Sequence, residues 1–120
     1  MPNTLHGYDP ARRPEDLEPF FVSRQRAGDA GGMVALYESD ALVDLGNGRL
    51  LKGKDAIHSY FKEVVASGEK YNYGEQRPSL VCGDLSMTSM RSPGGNFTTE
   101  IARRQSDGTW LWVIDRFIVA

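Results

Sequence analysis

Glu100 and Asp115 are the two residues best placed to do chemistry together, and the turn-forming run Ser106-Asp107-Gly108 lies between them. If Asp107-Gly108 is a two-residue hairpin turn, Ser106 pairs with Thr109 and the register brings Glu100 directly opposite Asp115. Both side chains then share a sheet face with Thr98, Ala102, Val113 and Phe117, while Trp110, Trp112, Ile114 and Arg116 take the other. Facing carboxylates repel unless a cation, a hydrogen bond or a shared proton compensates. One of them then becomes basic enough to give or take a proton near neutral pH. An ion pair or plain solvation would account for the same residues, and a three-residue turn would shift the register by one and separate them.

Arg24 is a candidate clamp for a carboxylate, either one of these acids or an acidic ligand. With Leu17, Phe20 and Phe21 it occupies the i, i+3, i+4, i+7 positions of a helical face; the alternative is that its stem packs and its guanidinium reaches water. His6 and His58 are the only histidines and Cys82 the only cysteine, so no metal site, disulfide or cofactor is expected. Gly46-Asn47-Gly48 and Gly53-Lys54 lack the spacing of a phosphate-binding loop or dinucleotide fingerprint. Cys82 reads as a small buried hydrophobe.

The elements that must position these groups follow from periodicity and punctuation. Residues 1–13 read as an irregular arm and residues 14–120 as one domain. The first helix ends at Gly28, and Asp29 caps a short second helix whose face holds Ala30, Met33, Leu36 and Tyr37. A hairpin follows, with strands at 41–45 and from 50 around Gly46-Asn47-Gly48. Ile57, Tyr60, Phe61, Val64 and Val65 stripe a helix over 54–66. The remainder reads as a β meander over 71–82, 85–91, 96–105 and 109–119. Helices first and strands last favour an α+β fold with helices on one face of an antiparallel sheet.

Composition restricts the function classes. Hydrophobic residues make up 40% and charged residues 25% of 120, with a net charge of −2, which fits one globular domain. The basic residues are dispersed, so a nucleic-acid partner is not expected. No apolar run approaches a membrane span and the N-terminal residues lack a signal-peptide core, which points to a cytoplasmic protein without membrane contact.

Ala27-Gly28-Asp29, Tyr37-Glu38-Ser39-Asp40-Ala41, Gly53-Lys54-Asp55-Ala56-Ile57 with Tyr60-Phe61, and Ser106-Asp107-Gly108-Thr109-Trp110 with Asp115 together carry a resemblance. As an ordered set over residues 15–119, they resemble the nuclear-transport-factor-2-like superfamily, and within it the ketosteroid-isomerase-like or SnoaL-like small proteins. The resemblance implies a cone-like fold of about three helices against a strongly curved antiparallel sheet, with a pocket between them, often in a homodimer. It also implies positional roles. Glu100 falls where ketosteroid isomerases carry a protonated acid, and Phe21 where they carry a hydrogen-bonding tyrosine. Leu45 falls where they carry the proton-shuttling aspartate, with Asp44 one residue away. The phenyl ring and the displaced aspartate set this chain apart from steroid isomerisation by that route.

The expectation is a cofactor-independent pocket protein acting by acid/base chemistry on a small apolar organic molecule, as an isomerase, dehydratase or cyclase. Glu100, Asp115 and Asp44 are its candidate acids. Arg24, Phe21, Tyr37, Tyr60, Met87, Val113 and Phe117 are its candidate binding residues. The alternative is a non-catalytic dimeric binding or assembly module. In either case a second copy of the chain is expected on the outer sheet face, at Trp110, Trp112 and Ile114.

Overall fold

Asp16 anchors the start of the first helix by accepting hydrogen bonds from the backbone N–H groups of Arg12 and Arg13, each at 3.1 Å. The computed structural model describes residues 7–119, so His6 and the first six residues of the expected 1–13 arm lie outside the described residues. Helix α1 spans Leu17–Arg26, and Pro19 lies in its first turn, where an N–H is not needed. Gly28, at φ +77°, ends it. Asp29 caps α2, Ala30–Val34, by accepting from the Gly32 N–H at 2.9 Å. Gly31 and Gly32 lower helix propensity, and α2 is five residues long.

The inward face of α1 carries Leu17, Phe21, Val22 and Gln25. This face is rotated by about one residue from the expected Leu17-Phe20-Phe21-Arg24 stripe, and it brings Glu18 inward while moving Arg24 to the flank. Tyr37, expected on α2, instead opens strand β1, Tyr37–Asp44. β1 pairs with β2, Leu50–Lys52. Helix α3, Lys54–Ala66, buries Ile57, Phe61 and Val64. The remaining strands are β3 (Glu75–Gln76), β4 (Leu80–Cys82), β5 (Leu85–Thr88), β6 (Met90–Arg91), β7 (Phe97–Arg104) and β8 (Trp110–Val119).

The sheet runs β2-β1-β8-β7-β5-β4, with β6 beside β7 and β3 beside β6. It is a curved mixed sheet rather than a wholly antiparallel one, because β1 and β8 are parallel neighbours. A parallel pair needs a long crossover, and the whole chain between β1 and β8 supplies it. With three α-helices among the described residues, the architecture is α+β.

The β7–β8 hairpin decides where the acids go. Its turn has three residues, Ser106, Asp107 and Gly108: Gln105 N–H donates to Thr109 O at 2.6 Å, and Arg104 pairs with Trp110. Gly108, at φ +86°, takes the left-handed position such a turn requires. That register alone would separate Glu100 from Asp115. It is corrected further along, where Ala102 pairs with Trp112 but Ile101 pairs with Ile114. Val113 is therefore an extra residue on β8, a β-bulge. Beyond it Glu100 and Asp115 are direct partners.

The bulge also keeps both tryptophans on the inner side. Trp110 is 6% and Trp112 1% exposed, packed with Leu17, Phe21, Met33, Tyr37 and Phe61. The expectation that they form the outer wall is thus overturned; of the three residues expected there, only Ile114 points outward. The outer face instead carries a row of successive cross-strand partners, Leu42, Ile114, Ile101, Met87 and Leu80. Ile114, Met87 and Leu80 are exposed. Cys82 is exposed as well, not buried.

Candidate functional site

Glu100 and Asp115 are 2% and 3% exposed. As direct antiparallel partners their Cβ atoms are about 4.5–5.5 Å apart. Each accepts a short hydrogen bond from a hydroxyl. The Tyr37 hydroxyl donates to Asp115 Oδ2 at 2.5 Å, and the Thr88 hydroxyl donates to Glu100 Oε1 at 2.6 Å. Tyr37 comes from the first residue of β1 and Thr88 from the last of β5, so four strands hold the pair. Among the described residues, no arginine, lysine or histidine forms an ion pair with either acid.

Burial without a cation sets their protonation. Desolvation raises the pKa of Asp115 well above the usual carboxylate range; the charges of Glu100 and Glu18 add to the rise, and the Tyr37 hydrogen bond opposes it. Glu100 is raised by desolvation, against hydrogen bonds from Thr88 and Thr98. Tyr37 is raised well above a free phenol, first by burial and then by Asp115. The site therefore favours neutral acids, which can donate a hydrogen bond.

Both acids line a cavity of about 470 Å³ between α1, α3 and the sheet. Phe21, Tyr60, Tyr71 and Phe117 supply aromatic walls, with Leu45 and Met90. Phe21 is central: its ring stacks on Tyr71 at 5.6 Å and meets Phe117 at 6.2 Å. Gln25, 1% exposed, ties Tyr71 in place. Its Nε2 donates to Glu69 O at 2.6 Å, and its Oε1 accepts from Tyr71 N–H at 2.8 Å.

Of the residues expected at the site, Glu100, Asp115, Phe21, Tyr60 and Phe117 converge on this cavity. Tyr37 lies behind it, bonded to Asp115. The others do not reach it. Asp44 points to the opposite side of β1, where Oδ2 accepts from Arg116 Nε at 3.0 Å and Oδ1 from the Gly46 N–H at 2.9 Å. Arg24 donates to Gly32 O at 2.9 Å and Asp9 O at 2.8 Å, and its guanidinium lies over the Tyr8 and Phe20 rings. Met87 faces outward, and Val113 is the bulged residue.

Glu18 is the residue that sequence reasoning missed. It is half-buried, lines the cavity, and its pKa is raised from 4.5 to about 8, by desolvation and then by the charge of Glu100. Its spacing to Phe21, Val22 and Gln25, at i+3, i+4 and i+7, was the available signal.

A larger cleft of about 600 Å³ lies elsewhere, between residues 8–12, Lys54 and the β7–β8 turn. Its polar groups largely satisfy local needs: Arg24 bonds backbone carbonyls, and Asp107 accepts from the N–H and hydroxyl of Thr109 at 3.0 and 2.6 Å. Among the described residues no group of three histidine, cysteine or acidic side chains is placed to hold a metal. No described helix is long and apolar enough to cross a membrane.

No protein-family model matches the chain, and no curated protein matches it. Solved structures do. An NTF2-like protein of unknown function from Pseudomonas putida shares 19% identity over 85% of this chain and 80% of its own, with a TM-score of 0.66. A proposed calcium/calmodulin-dependent protein kinase type II association domain from Thiobacillus denitrificans shares 17% over 89% and 93%, with a TM-score of 0.73. A ketosteroid isomerase-like protein from Erwinia carotovora shares 14% over 85% and 89%, with a TM-score of 0.67. At these identities the likeness concerns architecture, and the conclusion it supports is that this chain has the fold of the nuclear-transport-factor-2-like superfamily.

Proposed function

We propose that the cavity binds a small, largely apolar organic molecule bearing an oxygen acceptor, and that the chain is a cofactor-independent acid/base catalyst of isomerase, dehydratase or cyclase type. One observation carries this reading: two carboxyls, nearly inaccessible and directly opposed, share an aromatic-walled cavity with no cation bonded to them. A structural ion pair would include a partner of opposite charge. A neutral acid in a dry site is a strong hydrogen-bond donor, and it is worth most where negative charge develops on a ligand oxygen. The Tyr37 hydroxyl holds Asp115 in place from behind, leaving its second oxygen for the ligand. Phe21, Tyr60 and Phe117 pack the apolar body.

The test uses 2-naphthol, a flat apolar molecule with one hydroxyl, followed by its fluorescence. Wild type binds it, and Asp115→Leu weakens binding about tenfold, the loss of one hydrogen bond in a dry site. Equal affinity in the two proteins, with the variant folded, removes the reading.

A second reading, a non-catalytic dimeric module, is favoured by the outer row Leu42–Ile114–Ile101–Met87–Leu80, of which Ile114, Met87 and Leu80 are exposed. It crosses five strands and leaves aliphatic side chains in water. Likeness to a proposed association domain supports an assembly role for this fold. We place a second copy of the chain on this face. Ile114→Glu should yield monomers by sedimentation; a variant that assembles as wild type does excludes this surface.

A further inference from the structure

We infer that the cleft at the other end of β8 from the cavity is a second binding site, which takes a small organic carboxylate between the Lys54 ammonium and the Trp110 indole N–H. The site is independent of the acid/base reading: no residue lines both this cleft, of about 600 Å³, and the cavity of Glu100 and Asp115. Lys54 and Trp110, the first residues of α3 and β8, border the cleft. The cavity takes Tyr60 and Asp115 from further along the same two elements.

Trp110 is 6% exposed, and its backbone N–H is taken by Ala11 O at 2.9 Å. Its indole N–H, which can only donate, meets no acceptor among the described residues. Unlike the unpaired indole N–H of Trp112, it is not sealed in. It therefore opens on accessible space, and the accessible space that Trp110 borders is the cleft. A nearly buried donor left open in this way has room for one acceptor. Lys54 brings a second unmatched group. It is partly buried, and its ammonium takes part in no hydrogen bond or ion pair with a described residue. The first turn of α3 has no side-chain cap, so the positive end of the helix adds to the lysine charge.

Charge selects the ligand. Arg12, Arg24 and Lys54 line the cleft against Asp9 and Asp107, which leaves one positive charge in excess. Arg24 is held by the Gly32 and Asp9 carbonyls, and the Asp107 carboxylate by Thr109. Lys54 also borders a shallower depression with Glu38 and Asp40, but Glu38 accepts from Arg103 and Gln105 and no ion pair joins Lys54 to Asp40. A monoanion restores neutrality, and a carboxylate has two oxygens, one for an ammonium and one for an indole N–H. Pro10, Leu111 and the Trp110 ring give the cleft apolar sides, so an organic body adds to the affinity. A dianion such as inorganic phosphate meets Asp9 and Asp107 as like charges and binds more weakly.

The experiment adds sodium benzoate in low-salt buffer, where screening is weak, and follows the indole N–H signals of the two tryptophans by ¹H–¹⁵N NMR. Trp110→Phe identifies which signal is Trp110. In wild type that signal should move saturably, with half-saturation at about 1 mM. Benzamide, the same body without the charge, should bind at least about tenfold more weakly. Lys54→Met should weaken benzoate binding about tenfold, and Lys54→Arg, which keeps the positive charge, should recover most of the affinity. A Trp110 signal that does not move saturably, benzamide binding as tightly as benzoate, or undiminished affinity in folded Lys54→Met overturns the site. The benzamide comparison uses wild type alone, so it decides the matter even where a variant fails to fold.

Discussion

Replacing Glu18 by Gln should make the folded protein more stable in alkali than wild type, and the size of the effect follows from the site. The Gln side chain keeps the shape but cannot ionise. In wild type the folded state holds the Glu18 proton up to about pH 8, whereas the unfolded chain releases it near 4.5. Between those values the unfolded state binds fewer protons, so stability falls as pH rises. The contribution of Glu18 is complete below its unfolded value and is lost as pH climbs through about 8. At about 1.36 kcal/mol per pH unit, the interval sets a ceiling near 5 kcal/mol. Glu18 as a residue is only partly enclosed, and solvent screening reduces the expected effect to about 2 kcal/mol. Urea unfolding of both proteins at about pH 5 and about pH 9 reads it directly. The gap between them should open toward Glu18→Gln by about 2 kcal/mol at the higher pH. A gap that stays constant with pH would show that Glu18 ionises freely in the folded protein, and the picture of a desolvated Glu18 beside Glu100 and Asp115 would fail.

Other consequences concern the groups that hold the site. Tyr37→Phe removes the hydrogen bond that opposes the rise in the Asp115 pKa, so Asp115 should titrate higher still in carboxyl ¹³C spectra, with a stability loss of about 1–2 kcal/mol. An unmoved Asp115 signal would contradict that geometry. Gln25→Ala strands the Glu69 carbonyl and the Tyr71 N–H, and thermal unfolding should report a loss of about 2–4 kcal/mol. The same variant should weaken 2-naphthol binding, because Tyr71 loses its support against Phe21.

Much of the fold is legible in the residues, and the exceptions have physical causes. The stripe of Ile57, Tyr60, Phe61 and Val64 specifies α3 because its period matches one helical face. The opposition of Glu100 and Asp115 is also legible, but the two-residue turn that predicts it is absent. A three-residue turn and the Val113 bulge offset each other. Bulges depend on how a strand bends against its neighbours, and no local residue pattern announces this one. The same bulge explains why strict alternation puts Trp110 and Trp112 on the wrong face.

The misread face of α1 has a compositional cause. Leu17, Phe20 and Phe21 outweigh Leu17, Phe21 and Val22 in apolar content, yet the buried face includes Gln25 and turns Glu18 inward. Polar residues placed inward for function or for tying loops weaken the periodicity that would locate them. In the first turn of a helix, moreover, a glutamate is ordinary. The helical spacing of Tyr37 from Ala30 and Met33 puts it on α2, but two glycines weaken that helix, which ends at Val34 before Tyr37 is reached.

On the proposed reading, Glu100 and Asp115 present protonated oxygens to a ligand inside the aromatic cavity. Nuclear Overhauser contacts between 2-naphthol and the protein test it most directly. Contacts should run from the naphthol ring to Phe21 and Phe117, with the Glu100 and Asp115 carboxyl ¹³C signals at protonated positions at neutral pH. Contacts confined to the larger cleft near Arg12 and Trp110, or both carboxyls found ionised, would contradict it.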